Sequence, residues 1–219
     1  AFLKLWHWFE TKRSDHILTE EDVSDKLYYF RSKNKTFKGN SFSTICAYGK
    51  NGAIVHYKFK ERKSSKIHGE NLLLIDSGGQ YLNGTTDVTR TLIKGKPSEE
   101  MKSFYTHVLK GHLALSNLIF PTGIKGCDID SIARMYLWKK KEDYDHGTGH
   151  GVGFFLNVHE GPISISRGNR SKFYPGMIVS NEPGYYKKNK YGIRIENLEL
   201  VKKINSTRKE GNFLEFETL

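Results

Sequence analysis

The sequence predicts an α+β fold, a curved antiparallel sheet with helices packed on its outer face. Two stretches, at the start of the chain and over residues 98–142, carry apolar residues at helical spacing. From Ser41 to Ile93, and again from Gly151 onward, the pattern changes to short strand-like runs. Asn-Gly pairs at 51–52 and 83–84 fall between such runs, where antiparallel strands turn back.

Taken in order, Phe2, Leu5, Trp6 and Phe9 follow the i, i+3, i+4, i+7 pattern of an amphipathic helix. Thr19 with Asp22 three residues later resembles a capping box, although Glu or Gln is the usual third partner. The helix it opens places Val23, Leu27 and Phe30 on one face. SFSTICAYG reads as a strand, Lys50-Asn51-Gly52 as its turn and AIVHYKF as the returning strand. NLLLIDSGG and TTDVTRTLI form a second pair joined by QYLNG, which brings Asp76 and Asp87 opposite each other across one hairpin. SEEMKSFYTHVLKGHLALSNLIF is a long helix capped by Ser98, and CDIDSIARMYLWKKKE is another, opened by Asp128 or its neighbour. GVGFFLNV, GMIVSNEPGYY, YGIRIENLELVKKI and the final NFLEFETL read as strands.

Four carboxylates and an imidazole stand out: Asp76, Asp87, His150, Glu182 and Glu196. Each alone has an ordinary reading. Asp76 before Ser-Gly-Gly is a turn residue, Asp87 a loop cap, and Glu182 a pre-proline extended residue. Asp76, however, follows the apolar run LLLI, where an isolated carboxylate is expensive to bury without a cation. So much negative charge gathers in one place only with counter-ions, and two divalent metals about 3.5–4 Å apart are a recurring hydrolytic device. Carboxylates with one imidazole suit Mn²⁺, Fe²⁺, Co²⁺ or Zn²⁺. Neither cysteine, Cys46 or Cys127, lies in a ligand segment, and two cysteines make no disulfide framework.

The segments LLLIDSGGQYLNGTTDVTRT, DHGTGHGVGFFLNVHEGP, IVSNEPGYY and YGIRIENLEL, in this order, resemble the pita-bread metallopeptidases. That family includes aminopeptidase P, prolidase and methionine aminopeptidase. HGTGHGVGFFLNVHEGP and NEPGYY are most similar to aminopeptidase P, and the likeness runs from about Lys4 to the last residue. The resemblance implies a pita-bread (creatinase/aminopeptidase-like) fold and a site with two divalent ions, Mn²⁺ first. It implies that Asp76 is a terminal ligand of one metal, His150 and Glu182 ligands of the other, and Asp87 and Glu196 bridges, with a bridging water as nucleophile. Glu182 doubles as general base and acid. His146 lines the pocket for the residue after the scissile bond, while His56 and His159 contact the peptide and stabilise the tetrahedral intermediate. Without the resemblance, His56 reads as a half-buried strand histidine. His146 and His150 are spaced i, i+4, but the intervening Gly147-Thr148-Gly149 argues against a helix.

Arg194, two residues before Glu196 on a strand, is expected to share its face and to hold that carboxylate or a substrate group. Thr89 is expected to brace Asp87 in the same way. Phe154 stands where relatives often have a smaller residue, and is expected to narrow a pocket wall. His7, His16, His68, His107 and His112 read as surface or packing residues.

The 219 residues carry 35 basic and 24 acidic side chains, a net charge of +11. The lysines scatter over 58–66, 138–142, 187–190 and 202–209 instead of forming one stripe, which favours a solvated surface over a nucleic-acid partner. No apolar run reaches 18 residues, and the opening lacks a signal peptide, so no membrane partner and a cytoplasmic location are expected. The chain reads as one catalytic domain over 1–219, with both ends cut; the full-length protein is expected to carry an N-terminal region and to form a homodimer. The expected activity is removal of the N-terminal residue from peptides with proline second. The alternatives are a prolidase acting on Xaa-Pro dipeptides and a non-catalytic binding module, although binding-only relatives lose ligands that this chain keeps.

Overall fold

The computed structural model of the chain describes residues 1–11, 17–58, 64–204 and 212–219. His16 and parts of the basic runs at 58–66 and 202–209 lie outside them. Helix α1 (Phe2–Thr11) buries Leu5 and Phe9 with Phe2 packed alongside, whereas Trp6 stays exposed. After β1 (Leu18–Thr19), α2 (Glu20–Ser32) opens on the capping box: Thr19 Oγ1 accepts from Asp22 N, and the Asp22 carboxylate accepts from Thr19 N. Val23 and Leu27 are fully buried on its inner face.

Strands β2 (Phe37–Asn40) and β3 (Ile45–Tyr48) follow, but the hairpin expected after β3 does not form. Residues 49–53 close a 3-10 turn, and 54–58 join no strand. The cause is a backbone contact. A Cβ on Gly192 would lie 1.8 Å from Gly52 O, so the turn is pressed against a later strand instead of projecting into water.

β4 (Lys66–Ile67) pairs with β1. Then β5 (Asn71–Asp76), β6 (Gly79–Tyr81), β7 (Gly84–Thr85) and β8 (Thr89–Lys94) make one long antiparallel hairpin. β5 pairs with β8 and β6 with β7 in a single register, carried across the gap by Ser77 N donating to Val88 O and Thr86 N to Gly79 O. Asp76 therefore faces Thr89, and Asp87, just outside β8, stands across from Gly78. Only glycine fits at 78, where a Cβ would lie 1.9 Å from Thr86 O. β3 takes its partner here, with Ile45 opposite Asp76.

Helix α3 (Glu99–Ser116) is capped by Ser98 as expected but ends four residues before Phe120, which enters β9 (Ile119–Pro121) and the core. Helix α4 (Gly126–Trp138) begins two residues before Asp128, whose carboxylate accepts from Lys125 N. The two helices touch backbone to backbone at Gly111, where a Cβ would lie 2.1 Å from Ala133 O.

β10 (Gly149–His150) pairs with β11 (Ser164–Ile165), but the strand expected over 151–158 is absent beyond one bridge from Gly151 to Val179. That segment folds on itself, with Gly153 N donating to Asn157 O, and leaves Phe154, Phe155 and Leu156 exposed. A second long hairpin follows, built from β12 (Ile178–Asn181), β13 (Gly184–Lys187), β14 (Tyr191–Arg194) and β15 (Asn197–Lys203). β12 pairs with β15 and β13 with β14, again in one register, so Glu182 faces Glu196 across the gap between the ladders. Pro183 helps to open that gap, since it has no N–H to donate. β16 (Phe213–Thr218) bridges β15 and β9.

All strand pairs named here are antiparallel. Three apolar clusters pack them: α1 and α2 against β3 and β5, α4 against β9, β12 and β16, and α3 against β13 and β14. Cys46, buried in β3, and Cys127, on α4, are free thiols.

Candidate metal centre

Each long hairpin presents two carboxylates at its interruption. Asp76 and Asp87 come from the first, Glu182 and Glu196 from the second. Asp76, Asp87 and Glu196 are buried, and Glu182 and His150 are half-buried. His150 Nδ1 lies 2.9 Å from Gly151 O. A carbonyl only accepts, so Nδ1 carries the proton and Nε2 is the bare nitrogen. That nitrogen sits 3.4 Å from Asp87 Oδ2 and 3.3 Å from Glu182 Oε1. Asp87, His150 and Glu196 each offer one donor atom within 4.8 Å of the others.

Arg194 offsets only part of this charge. Burial, then Asp76 and Glu182, push the Asp87 carboxyl well above its usual range; burial, then Asp87, does the same to Glu196. Burial also raises Glu182. Asp76 Oδ1, Asp87 Oδ1 and Glu196 Oε1 are buried without a hydrogen-bond partner. Such orphaned acceptors cost about 1–3 kcal/mol each, more when ionised. Carboxylate oxygens that lack donors, beside one bare imidazole nitrogen, fit divalent cations of the hard-to-borderline kind.

Arg194 is where the sequence expectation needs correction. Its Nη2 donates to Asp76 Oδ2 at 2.7 Å, not to Glu196, because β14 ends at Arg194 and the fork crosses to the first hairpin. Its Nη1 donates to Tyr186 Oη at 2.7 Å, and although only 2% of its side chain is exposed it forms part of the cavity lining. Thr89 does not brace Asp87. Facing Asp76 in its ladder, it donates Oγ1 to Glu196 Oε2 at 2.6 Å.

Tyr186 has no role in the sequence reading. Its hydroxyl accepts from Arg194 and lies 2.8 Å from His146 Nε2, while His146 Nδ1 faces Gly147 O at 2.8 Å. The ring therefore donates from Nδ1 and accepts the tyrosine proton at Nε2. Burial, then the Arg194 charge, lower His146 to about 4, and burial raises Tyr186 to about 12, so both stay neutral near pH 7. Strand alternation held the clue: Glu182, Gly184 and Tyr186 share one face of the second hairpin.

The His146–His150 segment is fixed from α4. The buried Arg134 donates to His146 O at 2.7 Å and pairs with Asp130, which accepts from Thr148 Oγ1; Thr148 O in turn accepts from Glu182 N at 2.7 Å. The His159 ring packs 4.0 Å from that of His150, and burial, then His150, lower its pKa. His56 lies on the turn after β3, not on a strand. A cavity of about 600 Å³ is lined by His56, Asp76, Asp87, His146, His150, His159, Glu182 and Arg194, with Phe42, Ile45, Val55 and Val158 as apolar wall. Glu196 lies beneath it. Phe154 does not line this cavity; it is 69% exposed and borders an adjoining groove with Leu219 and Met177 that also reaches Asp87. His7 and His68 are exposed and His107 is half-buried.

Residues 1–203 match the profile of metallopeptidase family M24. The chain belongs to that family. It is 48% identical to a probable Xaa-Pro aminopeptidase P of Arthroderma otae, over 99% of this chain and 36% of the relative. The X-prolyl aminopeptidase of Caenorhabditis elegans, described as a cytosolic enzyme with a di-nuclear active site, superposes with a TM-score of 0.93 at 41% identity, covering 99% of this chain and 36% of that one. A prolidase from Thermococcus sibiricus superposes with a TM-score of 0.78 at 31% identity, covering 95% and 54%. The chain thus spans about a third of the length of the curated M24 relative and has the pita-bread fold of the family. Among the described residues no helix is long and apolar enough to cross a membrane.

Proposed function

We propose that the chain is the catalytic domain, over residues 1–219, of a dinuclear metal-dependent aminopeptidase that releases the N-terminal residue from Xaa-Pro peptides. The observation that carries this reading is the set of orphaned buried carboxylate oxygens around one bare imidazole nitrogen, at the floor of a histidine-lined cavity. Asp76, Asp87, His150, Glu182 and Glu196 would hold the ions, Mn²⁺ by family resemblance, and these would supply the Lewis acidity that activates water and polarises a peptide carbonyl. Arg194 holds Asp76 in place, and Thr89 holds Glu196. Glu182, beside the cavity, takes the proton from the attacking water and returns it to the leaving nitrogen. His159 and His56 line the same cavity as donors for the carbonyl oxygen as charge develops on it. The likeness to a cytosolic enzyme supports a cytosolic location; the homodimer of the full-length protein rests on the family resemblance alone.

Proline after the scissile bond leaves a tertiary amide with no N–H, so peptidases that grip that N–H lose a contact. A site that grips the carbonyl does not need it. Full-length enzyme loaded with Mn²⁺ is expected to cleave Xaa-Pro-Yaa with higher kcat/KM than matched Xaa-Ala-Yaa; equal rates remove the selectivity. The likeness to prolidase makes dipeptide hydrolysis the second reading, and cleavage restricted to Xaa-Pro dipeptides would establish it instead.

His159→Ala is expected to lower kcat by roughly 10²–10³-fold with little change in KM, as for loss of a donor used in the transition state. A raised KM at unchanged kcat would assign His159 to substrate binding.

A further inference from the structure

Helix α3 carries a histidine that no step above uses. His112 is buried, with 2% of its surface exposed, and faces the second hairpin one rung below Glu182 and Glu196. Its Nδ1 lies 3.0 Å from Asn181 O, an atom that can only accept, so Nδ1 carries the proton. Nε2 is then an acceptor, and Asn197 Nδ2 lies 3.2 Å from it. The Asn197 amide is held in that orientation by Arg90, whose Nη2 donates to Asn197 Oδ1 at 2.8 Å. Asn181 Nδ2 in turn donates to His112 O at 3.0 Å.

Asn181 and Asn197 are partners in the β12–β15 ladder. They form its last rung before the gap, and the next facing pair is Glu182 and Glu196. One imidazole therefore grips both strands at the edge of the gap, donating to one and accepting from the other from opposite edges of a rigid ring. Arg90 extends the grip by donating Nη1 to the carbonyl of Glu196.

We propose that His112 is a positioning residue for the metal site, fixing the spacing of Glu182 and Glu196 through Asn181 and Asn197. The proposal rests on the dinuclear reading above. Groups behind a ligand set its orientation, and losing one typically costs 10–100-fold in metal affinity or activity. A residue that merely packs would change the melting temperature alone.

The test compares the wild-type chain with His112→Leu, which loses both bonds, and His112→Asn, which keeps a donor for Asn181 O. Three quantities are measured: hydrogen exchange of the metal-free proteins, Mn²⁺ affinity by titration, and cleavage of an Xaa-Pro-Yaa peptide. In His112→Leu the amides of Glu182 and Glu196 are expected to exchange faster relative to those of the rest of the hairpin. Mn²⁺ affinity should fall roughly 10–100-fold, with kcat falling in step and His112→Asn in between. Unchanged exchange at Glu182 and Glu196, or a lowered melting temperature with Mn²⁺ affinity intact, overturns the positioning role. A wild type that binds no Mn²⁺ and cleaves nothing refutes the dinuclear reading instead, and exchange at the two glutamates still decides the role of His112.

Discussion

Glu182→Gln is expected to lower kcat by roughly 10²–10⁴-fold while leaving bound Mn²⁺ in place, the loss typical of removing a proton carrier. The amide keeps an oxygen where the carboxylate has one, so the side chain still reaches the cavity and can accept from Ser180 Oγ, as Glu182 Oε1 does at 3.0 Å. What it loses is the ability to take up a proton and pass it on. In the metal-free chain burial raises the Glu182 carboxyl above its usual range. Steady-state kinetics combined with elemental analysis of the same sample checks the prediction. Full turnover with both ions retained would remove Glu182 from the proton path, whereas loss of turnover together with the ions would reduce it to a ligand.

Glu196→Gln is expected to act in opposite directions on activity and on stability. With metal, it removes a carboxylate from the floor of the site and should cost more than the 10–100-fold typical of groups behind a ligand. Without metal, the same change should stabilise the fold at neutral pH by about 1–3 kcal/mol, because it relieves a buried carboxylate whose Oε1 has no hydrogen-bond partner. The pH dependence fixes the sign. The folded-state pKa of Glu196 is raised, so the native protein holds a proton that the unfolded chain releases. That contribution is fully present below the unfolded value of about 4.3 and is lost as pH rises through the higher native value. Metal-free wild type should thus lose stability from about pH 4 toward neutrality, and the gap to Glu196→Gln should close on acidification. Thermal melts of chelated protein across that range read the effect directly; a gap that does not change with pH would mean that Glu196 is not held against ionisation.

The elements that bear the site were legible where local chemistry dictates structure. The apolar period of α1, the Thr19–Asp22 box and the Ser98 cap all gave helices at the expected places, because each is settled within a turn or two of chain. The pairing of NLLLID with TRTLI was also readable from its buried runs and the Asn-Gly between them. Two expected strands failed, the first for a non-local reason. IVHYK, residues 54–58, does not return along β3, because the Gly52 backbone is pressed on Gly192, 140 residues away in sequence. GFFLNV looks apolar enough for a strand, yet its aromatic side chains face water. Residue spacing on a single strand likewise misassigned Arg194 and Thr89. Each reaches a carboxylate of the other hairpin, a relation that no one-dimensional pattern contains. Tyr186 is the exception, a residue that strand alternation from Glu182 could have found.

The two interrupted hairpins carry a consequence for how such a site comes into being during synthesis. Each carboxylate pair is local: Asp76 and Asp87 are eleven residues apart, Glu182 and Glu196 fourteen, so each half can form on its own, soon after its own turn is made. The backbone freed at the second gap is satisfied elsewhere, Glu182 N by Thr148 O and Glu196 N by Thr89 O. The second of these bonds joins the halves, closing a loop of 106 residues between the paired positions, while the first ties the later half to the His146–His150 segment. Closing a loop of that length slows the docking of the halves relative to the formation of either one. The early half has only Arg31, held on Ser77, near its carboxylate pair until the later strand brings Arg194. A nascent chain at that stage would offer two of the five proposed ligands, and only the completed chain would present them all.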